Sequence, residues 1–294
     1  MKSLLFIGGT GFLGQSFFDC LNKGKLKTLK LSKIIIVSRK KKLVKSKIKV
    51  SYIRKSVSNL KTIPYSDYII YAANSDNNLD NLNGINNFVN LLEEKHKKSK
   101  ILLTSSGAVY GPRNVKKKMD EKEKISFTKV SKFSGYKKEY AKVKIIMEKE
   151  FNKLAKKGFN VSIARLFSFI GKKILINKNF AVTNIINQAK NKKNESILIS
   201  DNRDVYRGYM HSDDLVRWLI FILINSNTKC NIYNVGSDEA ISIENLAKLI
   251  SIKFDKKVNK KKNFLIKNKK QLVDYYVPKI SKAKKELNLK LRYK

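Results

Sequence analysis

Gly8-Gly9-Thr10-Gly11-Phe12-Leu13-Gly14 follows the apolar run Leu4-Leu5-Phe6-Ile7 and precedes a helical pattern from Gln15 to Leu21. This order of strand, glycine turn and helix constrains the fold more than any other stretch of the chain. With glycine at 8, 11 and 14, no Cβ stands in front of the backbone N–H groups there. A pyrophosphate can then seat on the helix N-terminus, where open donors and the helix dipole both face it. The spacing is G-x-x-G-x-x-G, not the commoner G-x-G-x-x-G of dinucleotide-binding turns. Gly8, Gly11, Phe12, Leu13 and Gly14 are the candidate cofactor-binding residues of this turn.

Five β-rich runs, Leu4–Ile7, Ile34–Val37, Tyr68–Ala72, Ile101–Thr104 and Val161–Arg165, alternate with helical stretches over 13–22, 79–97 and 134–158. Such alternation predicts an α/β fold with a doubly wound parallel sheet of the Rossmann type. Lys49–Ile53 reads as a further strand. Beyond residue 170 the rhythm changes. A helix is expected over Asn179–Lys190, a strand over Ile197–Ser200 and an apolar helix over Asp213–Ile224 that holds the sole tryptophan, Trp218. A strand over Ile232–Val235, a helix over Ser242–Phe254 and a short helix over Ile280–Leu287 follow. Ser242, with Asn245 three residues on, has the spacing of a helix cap. The 294 residues thus divide into a dinucleotide-binding domain over 1–170, with 205–237 packing back onto it, and a smaller C-terminal α/β substrate lobe from 171–204 and 238–294.

The formal net charge is +41. Lysines recur in 22–30, 40–48, 95–100, 116–124, 137–157, 187–193, 256–270 and 279–290, with no single stripe interleaved with aromatics. The charge reads as dispersed composition, so no specific nucleic-acid partner is expected, and the positive field should speed encounter with an anionic substrate. No run of 18 apolar residues is present, so no membrane span is expected. The N-terminus lacks a signal-peptide pattern, and Cys20 and Cys230 lack metal or disulfide spacing, so a cytoplasmic protein without a metal site is expected. Cys20 is expected to be buried in the first helix, and His96, among lysines at a helix end, to be exposed.

Two Y-x-x-x-K matches occur, Tyr140/Lys144 and Tyr275/Lys279; Pro278 bars the second from a regular helix. In the first, Tyr140, Lys144 and Glu148 stand at i, i+4 and i+8 on one helix face. A phenol titrates at about 10, too high for a base near neutrality. An ammonium one turn away should lower that value and let Tyr140 exchange a proton with a hydroxyl or carbonyl. The strand Ile101–Thr104 runs into Ser105 and Ser106 before a glycine-bounded loop. Hydroxyls at the carboxyl end of a parallel strand point into the crevice where ligands bind, so Ser106 is a candidate to hydrogen-bond the reacting oxygen.

Glycine turn, strand-end serine and Tyr/Lys helix, in this order, resemble the extended short-chain dehydrogenase/reductase family, in its branch of nucleotide-sugar epimerases, dehydratases and reductases. Tyr71-Ala72-Ala73-Asn74, Ala164-Arg165-Leu166-Phe167-Ser168, Arg207-Gly208-Tyr209-Met210-His211-Ser212-Asp213-Asp214, Tyr233-Asn234-Val235-Gly236-Ser237 and Ile280–Leu287 extend the resemblance over nearly the whole chain. It implies Ser106, Tyr140 and Lys144 as catalytic residues, the latter two also touching the cofactor, and Ala72 and Ala73 lying under it. It further implies Ser168 in the substrate site, Arg207 and Asn179 on a nucleotide diphosphate, a structural His211, and a homodimer through the helices 79–97 and 134–158.

Two departures from the family pattern narrow the expectation. Dehydratases carry Asp-Glu directly after the catalytic hydroxyl, where this chain has Gly107-Ala108. The second strand ends in Ser38-Arg39-Lys40 without a carboxylate for the ribose hydroxyls. Ser38 and Arg39 suit a 2′-phosphate, so NADP(H) is favoured over NAD. The resemblance therefore implies an NADP(H)-dependent reductase of a nucleotide-activated 4-keto-6-deoxyhexose, making deoxysugars for surface polysaccharide. A nucleotide-sugar epimerase of the UDP-hexose 4-epimerase type is the alternative. A non-catalytic Rossmann protein binding nucleotide or RNA is the alternative of another class, and the presence of both Tyr140 and Lys144 speaks against it.

Overall fold

The computed structural model describes residues 1–40, 43–172, 180–200, 203–260 and 273–293. Six strands are laid down first: β1 (Lys2–Ile7), β2 (Leu31–Val37), β3 (Lys49–Ile53), β4 (Tyr68–Tyr71), β5 (Lys100–Ser106) and β6 (Asn160–Leu166). There follow β7 (Phe169–Ile170), β8 (Ser196–Ile199), β9 (Asp204–Arg207), β10 (Met210–His211), β11 (Asn231–Val235), β12 (Ile241–Ser242), β13 (Lys257–Lys260) and β14 (Val273–Tyr276). The helices are α1 (Phe12–Asn22), α2 (Asn78–Asn90), the single turn α3 (Phe127–Val130), α4 (Gly135–Lys156), α5 (Ala181–Lys190), α6 (Ser212–Ile224), α7 (Ile243–Phe254) and α8 (Ser281–Leu287).

A seven-stranded sheet in the order β11-β6-β5-β4-β1-β2-β3 forms the centre, and every pairing in it is parallel. The chain enters at β1, winds outward to β3, then returns to β4 and winds the other way. Strand order reverses between β1 and β4, and the crevice at the carboxyl ends of these strands is where such sheets take their ligands. The central strands are buried on both faces, which is why Leu4–Ile7 of β1 reads as continuous apolar sequence and not as alternation. Leu4, Phe6, Ile34, Ile36, Ile70 and Leu102 face α1 and the apolar α6, including Trp218. Leu5, Ile7, Ile35, Ile69, Ile101 and Leu103 face the other way, onto Ile85 and Phe88 of α2 and Val143, Met147 and Phe151 of α4.

The smaller part is built from β9, which pairs antiparallel with β12 and parallel with β14, and from β8 paired with β13 under α5 and α7. Ser242 caps α7 by accepting the Asn245 N–H at 3.0 Å. α5 begins at Ala181; Asn179 lies outside the described residues, as do 261–270 of the Lys-rich stretch.

Two expectations are corrected. The helix expected over 79–97 is α2, ending at Asn90, followed by a separate 3-10 turn over Glu94–Lys98. His96 is not exposed but fully buried. Its Nδ1 accepts the Glu93 N–H at 2.9 Å and its Nε2 lies 3.1 Å from the Ile63 carbonyl, so the ring bridges two segments under the lysines that surround it in sequence. Burial lowers its pKa and favours the neutral ring. Cys20 is buried in α1, as expected.

Candidate active site

The turn after β1 is shaped by absent side chains. Gly8 has φ +84°, and a Cβ there would lie 2.7 Å from the backbone of Ala72 and Ala73. A Cβ at Gly14 would lie 1.9 Å from the Gly9 carbonyl oxygen. The turn therefore packs directly on the segment after β4 and brings Gly11 to the N-cap of α1, where no side chain satisfies the helix donors. Glycine backbone, an uncapped helix N-terminus and Ala72–Ala73 close beside it fit a dinucleotide pyrophosphate. At the end of β2, Ser38 Oγ lies 2.6 Å from Thr10 Oγ1 of the turn. Arg39 reaches across to the segment after β4, donating to Asp80 Oδ2 at 2.9 Å and to Ser75 Oγ at 3.3 Å.

Ser106 is the last residue of β5, and its Oγ accepts the Ala108 N–H at 3.2 Å, capping the turn that follows. Tyr140 and Lys144 come from α4, which packs along the same strand. Lys144 is buried and its Nζ donates to the Thr104 carbonyl, 3.4 Å away and two residues before Ser106. The Tyr140 phenol lies close enough to Ser106 for the serine hydroxyl to act on its pKa. Serine, phenol and ammonium thus meet at the carboxyl end of β5, beside the crevice. The expected lowering of the phenol by the lysine is not what this arrangement gives. Lys144 Nζ stands over the Tyr140 ring, 5.5 Å from its centroid. Burial pushes Tyr140 up to about 12, against a smaller opposing effect of the Ser106 hydroxyl. Burial likewise pulls Lys144 down to about 8, against the opposing charge of Glu148.

Glu148, one turn beyond Lys144, is held by a buried network. It takes both Arg165 Nη2 at 2.7 Å and Arg165 Nε at 2.9 Å, and it accepts from Ser105 Oγ at 2.6 Å. Arg165 also donates to the Tyr110 hydroxyl at 2.9 Å, which in turn donates to Asn234 Oδ1 at 2.8 Å. This network fixes α4 against β5, β6 and β11.

Across the cleft, Arg207 on β9 lies directly opposite Tyr276 on β14 in the parallel pairing. Its guanidinium is bound by Asp274, with Nη2 2.9 Å from Oδ2 and Nη1 3.2 Å from Oδ1. The Tyr276 hydroxyl lies 3.4 Å from Ser106 Oγ and 3.3 Å from the Leu166 carbonyl, which ties the Arg207 strand to the serine. Ser168 follows β6 at the same end of the sheet, its carbonyl taking the Met210 N–H at 3.0 Å. Sequence reasoning missed Tyr276 and Asp274; the signal was the Tyr275-Tyr276 pair, discarded with its Y-x-x-x-K match. A Cβ on Gly107 would lie 2.6 Å from Phe167 Cζ and 2.8 Å from the Tyr276 hydroxyl, so the position after Ser106 has no room for a side chain without displacing an aromatic ring.

Among the described residues no group of acidic, histidine and cysteine side chains could hold a metal ion, and no helix is long and apolar enough to cross a membrane.

A doubly wound parallel sheet with a glycine turn at its switch point, and serine, tyrosine and lysine at the end of β5, defines a dinucleotide-binding α/β protein of the short-chain dehydrogenase/reductase type. The family described as NAD dependent epimerase/dehydratase matches residues 4–236, and the chain belongs to it. A search of curated proteins finds no match to the sequence. Among solved structures, a UDP-glucose 4-epimerase is similar with a TM-score of 0.77 and 16% identity, over 99% of this chain and 93% of that one. A dTDP-glucose 4,6-dehydratase from Bacillus anthracis in complex with NAD has a TM-score of 0.75 and 15% identity, over 100% and 92%. MoeE5 in complex with UDP-glucuronic acid and NAD has a TM-score of 0.74 and 14% identity, over 99% and 94%.

Proposed function

We propose that this protein is an NADP(H)-dependent reductase of a nucleotide-linked 4-keto-6-deoxyhexose. The observation that carries the reading is the pairing of an assembled Ser106–Tyr140–Lys144 group with a position 107 that cannot carry a carboxylate. Elimination of water across a sugar ring needs an acid/base pair there; reduction or oxidation at one carbon does not.

The turn from Gly8 to Gly14 would hold the coenzyme pyrophosphate, Ala72 and Ala73 would lie under it, and Ser38 and Arg39 would take a 2′-phosphate. The reduced coenzyme supplies hydride. Ser106 orients the keto oxygen through its hydroxyl. Tyr140 gives its phenolic proton to that oxygen as the carbonyl becomes an alcohol, so one hydride and one proton are added. A pKa of about 12 in the resting site suits Tyr140 as the proton donor. Lys144 offsets the phenolate charge that results. The pyrophosphate of the substrate meets Arg207, whose planar fork matches it. The family resemblance further suggests a homodimer in the cytoplasm, pairing through α2 and α4.

The test is purified protein with NADPH and a dTDP-4-keto-6-deoxyhexose, followed at the reduced-nicotinamide absorbance band. A fall in that band supports the reading, and Tyr140→Phe should slow it on the order of 10²- to 10⁴-fold. Arg39→Ala should cost about tenfold in kcat/KM with NADPH and little with NADH. No fall in absorbance, with interconversion of UDP-hexoses and NAD retained through purification, would replace this reading by the epimerase one.

A further inference from the structure

Lys137 lies one helical turn before Tyr140 on α4, so both side chains leave the same stretch of helix toward the cleft. Its Nζ stands 4.5 Å from the Phe133 ring centroid and 5.7 Å from the Tyr276 ring centroid. The Arg207 guanidinium stands at the same 5.7 Å from the Tyr276 ring, whose hydroxyl is 3.4 Å from Ser106. One aromatic ring thus carries two cations and touches the catalytic serine at its tip.

The charges around this ring do not balance. Asp274 is the carboxylate of the group, and it is taken by Arg207 at 2.9 Å and approached by Arg203 at 3.7 Å. Among the described residues Lys137 forms no ion pair. Lys137 and Arg207 against Asp274 leave an excess of one positive charge. Desolvation against the rings depresses the pKa of Lys137, Asp274 opposes it, and Arg207 and Arg203 add smaller depressions. Ring faces give an ammonium part of what it lacks. A bound anion would supply the rest.

We propose that Lys137 is a substrate-binding residue whose ammonium, with Arg207, takes the phosphoryl group next to the sugar in a nucleoside diphosphate sugar. The proposal rests on the nucleotide-sugar reading above. Lys137 is separated from Ser106 by the width of a single tyrosine. In such a substrate the anionic group nearest the reacting sugar carbons is the sugar-linked phosphoryl, and the nucleoside lies farther out. A sugar carboxylate is the other anionic oxygen group able to reach this place.

The experiment is calorimetric titration of the full chain, with NADP⁺ present, against uridine, UDP, UDP-glucose and UDP-glucuronate. Wild type is compared with Lys137→Met, Lys137→Gln and Lys137→Arg. We expect both neutral variants to weaken UDP and UDP-glucose by about tenfold or more, the arginine variant to restore most of the loss, and uridine and NADP⁺ affinities to stay unchanged. Wild-type-like binding of UDP and UDP-glucose by the neutral variants would overturn the assignment while leaving the nucleotide-sugar reading intact. A loss confined to UDP-glucuronate would move Lys137 to a carboxylate and overturn the phosphoryl assignment. Failure of the wild type to bind any of the diphosphates, and of the dTDP equivalents run alongside, would overturn both readings together.

Discussion

Arg207 is held at two points by the Asp274 carboxylate, with Nη2 to Oδ2 at 2.9 Å and Nη1 to Oδ1 at 3.2 Å. Nη1 also donates to the carbonyls of Tyr206 at 2.7 Å and Asp274 at 3.1 Å. The paired donors that would suit a pyrophosphate already face an anion belonging to the chain itself. Asp274→Asn keeps the side-chain shape and removes the competing charge. We expect it to tighten UDP binding several-fold by calorimetry. Weaker binding would show instead that the carboxylate serves to aim the guanidinium.

Lys144 makes the fold less stable near neutrality. Its pKa of about 8 lies below the ordinary 10.5. Between these values the unfolded chain binds more protons than the folded one, so stability rises with pH through that window. Below pH 8 the folded protein carries the whole cost, on the order of 3 kcal/mol. Lys144→Met should therefore raise the Tm at pH 7, with the gain shrinking toward pH 10.5, while turnover is lost. A Tm below wild type at pH 7 would contradict this.

Gly107 tests the space after Ser106. Gly107→Ala places a methyl 2.6 Å from Phe167 Cζ and 2.8 Å from the Tyr276 hydroxyl. Relief must come from moving one of those rings, at a cost of about 1–3 kcal/mol. Urea unfolding should register the loss, and turnover should fall more than stability does, because Tyr276 is displaced from Ser106. A variant as active as wild type would show that the Ser106–Tyr276 approach has no part in turnover.

The Glu148–Arg165 pair is almost wholly buried, with side-chain exposures of 2% and 3%. Glu148→Gln leaves an uncompensated guanidinium in the core and should cost about 3–5 kcal/mol. Glu148→Gln with Arg165→Met removes both charges and should recover a large part of that loss in urea unfolding. Additive losses in the double variant would refute coupling between the two.

The centre of the sheet was legible in the sequence because β1, β2, β4 and β5 carry short runs of consecutive buried apolar residues. The glycine turn was legible because only glycine tolerates the 2.7 Å approach of Ala72 and Ala73 to position 8. Ser106, Tyr140 and Lys144 were found from residue type and order, and the structure brings them to one place. What stayed hidden depends on partners distant in sequence. The 79–97 stretch has no proline or glycine at the actual break after Asn90, so periodicity ran through it. His96 is surrounded by lysines in sequence but bonds Ile63, thirty-three residues away. The direction of the Tyr140 shift could not be read from an i, i+4 spacing, which gives the neighbourhood of a charge but not whether it lies over the ring or beside the hydroxyl. Tyr276 reaches Ser106 across 170 residues, and no local pattern announces it.

A hydroxyl has a single hydrogen to give. Ser106 Oγ already accepts from the Ala108 amide, and both Tyr140 and Tyr276 lie within its reach. The Tyr276 hydroxyl spends its own hydrogen on the Leu166 carbonyl, so toward Ser106 it can only accept. A ligand carbonyl that claims the serine hydrogen must take it from Tyr276, so the span between that ring and the serine reports directly on occupancy.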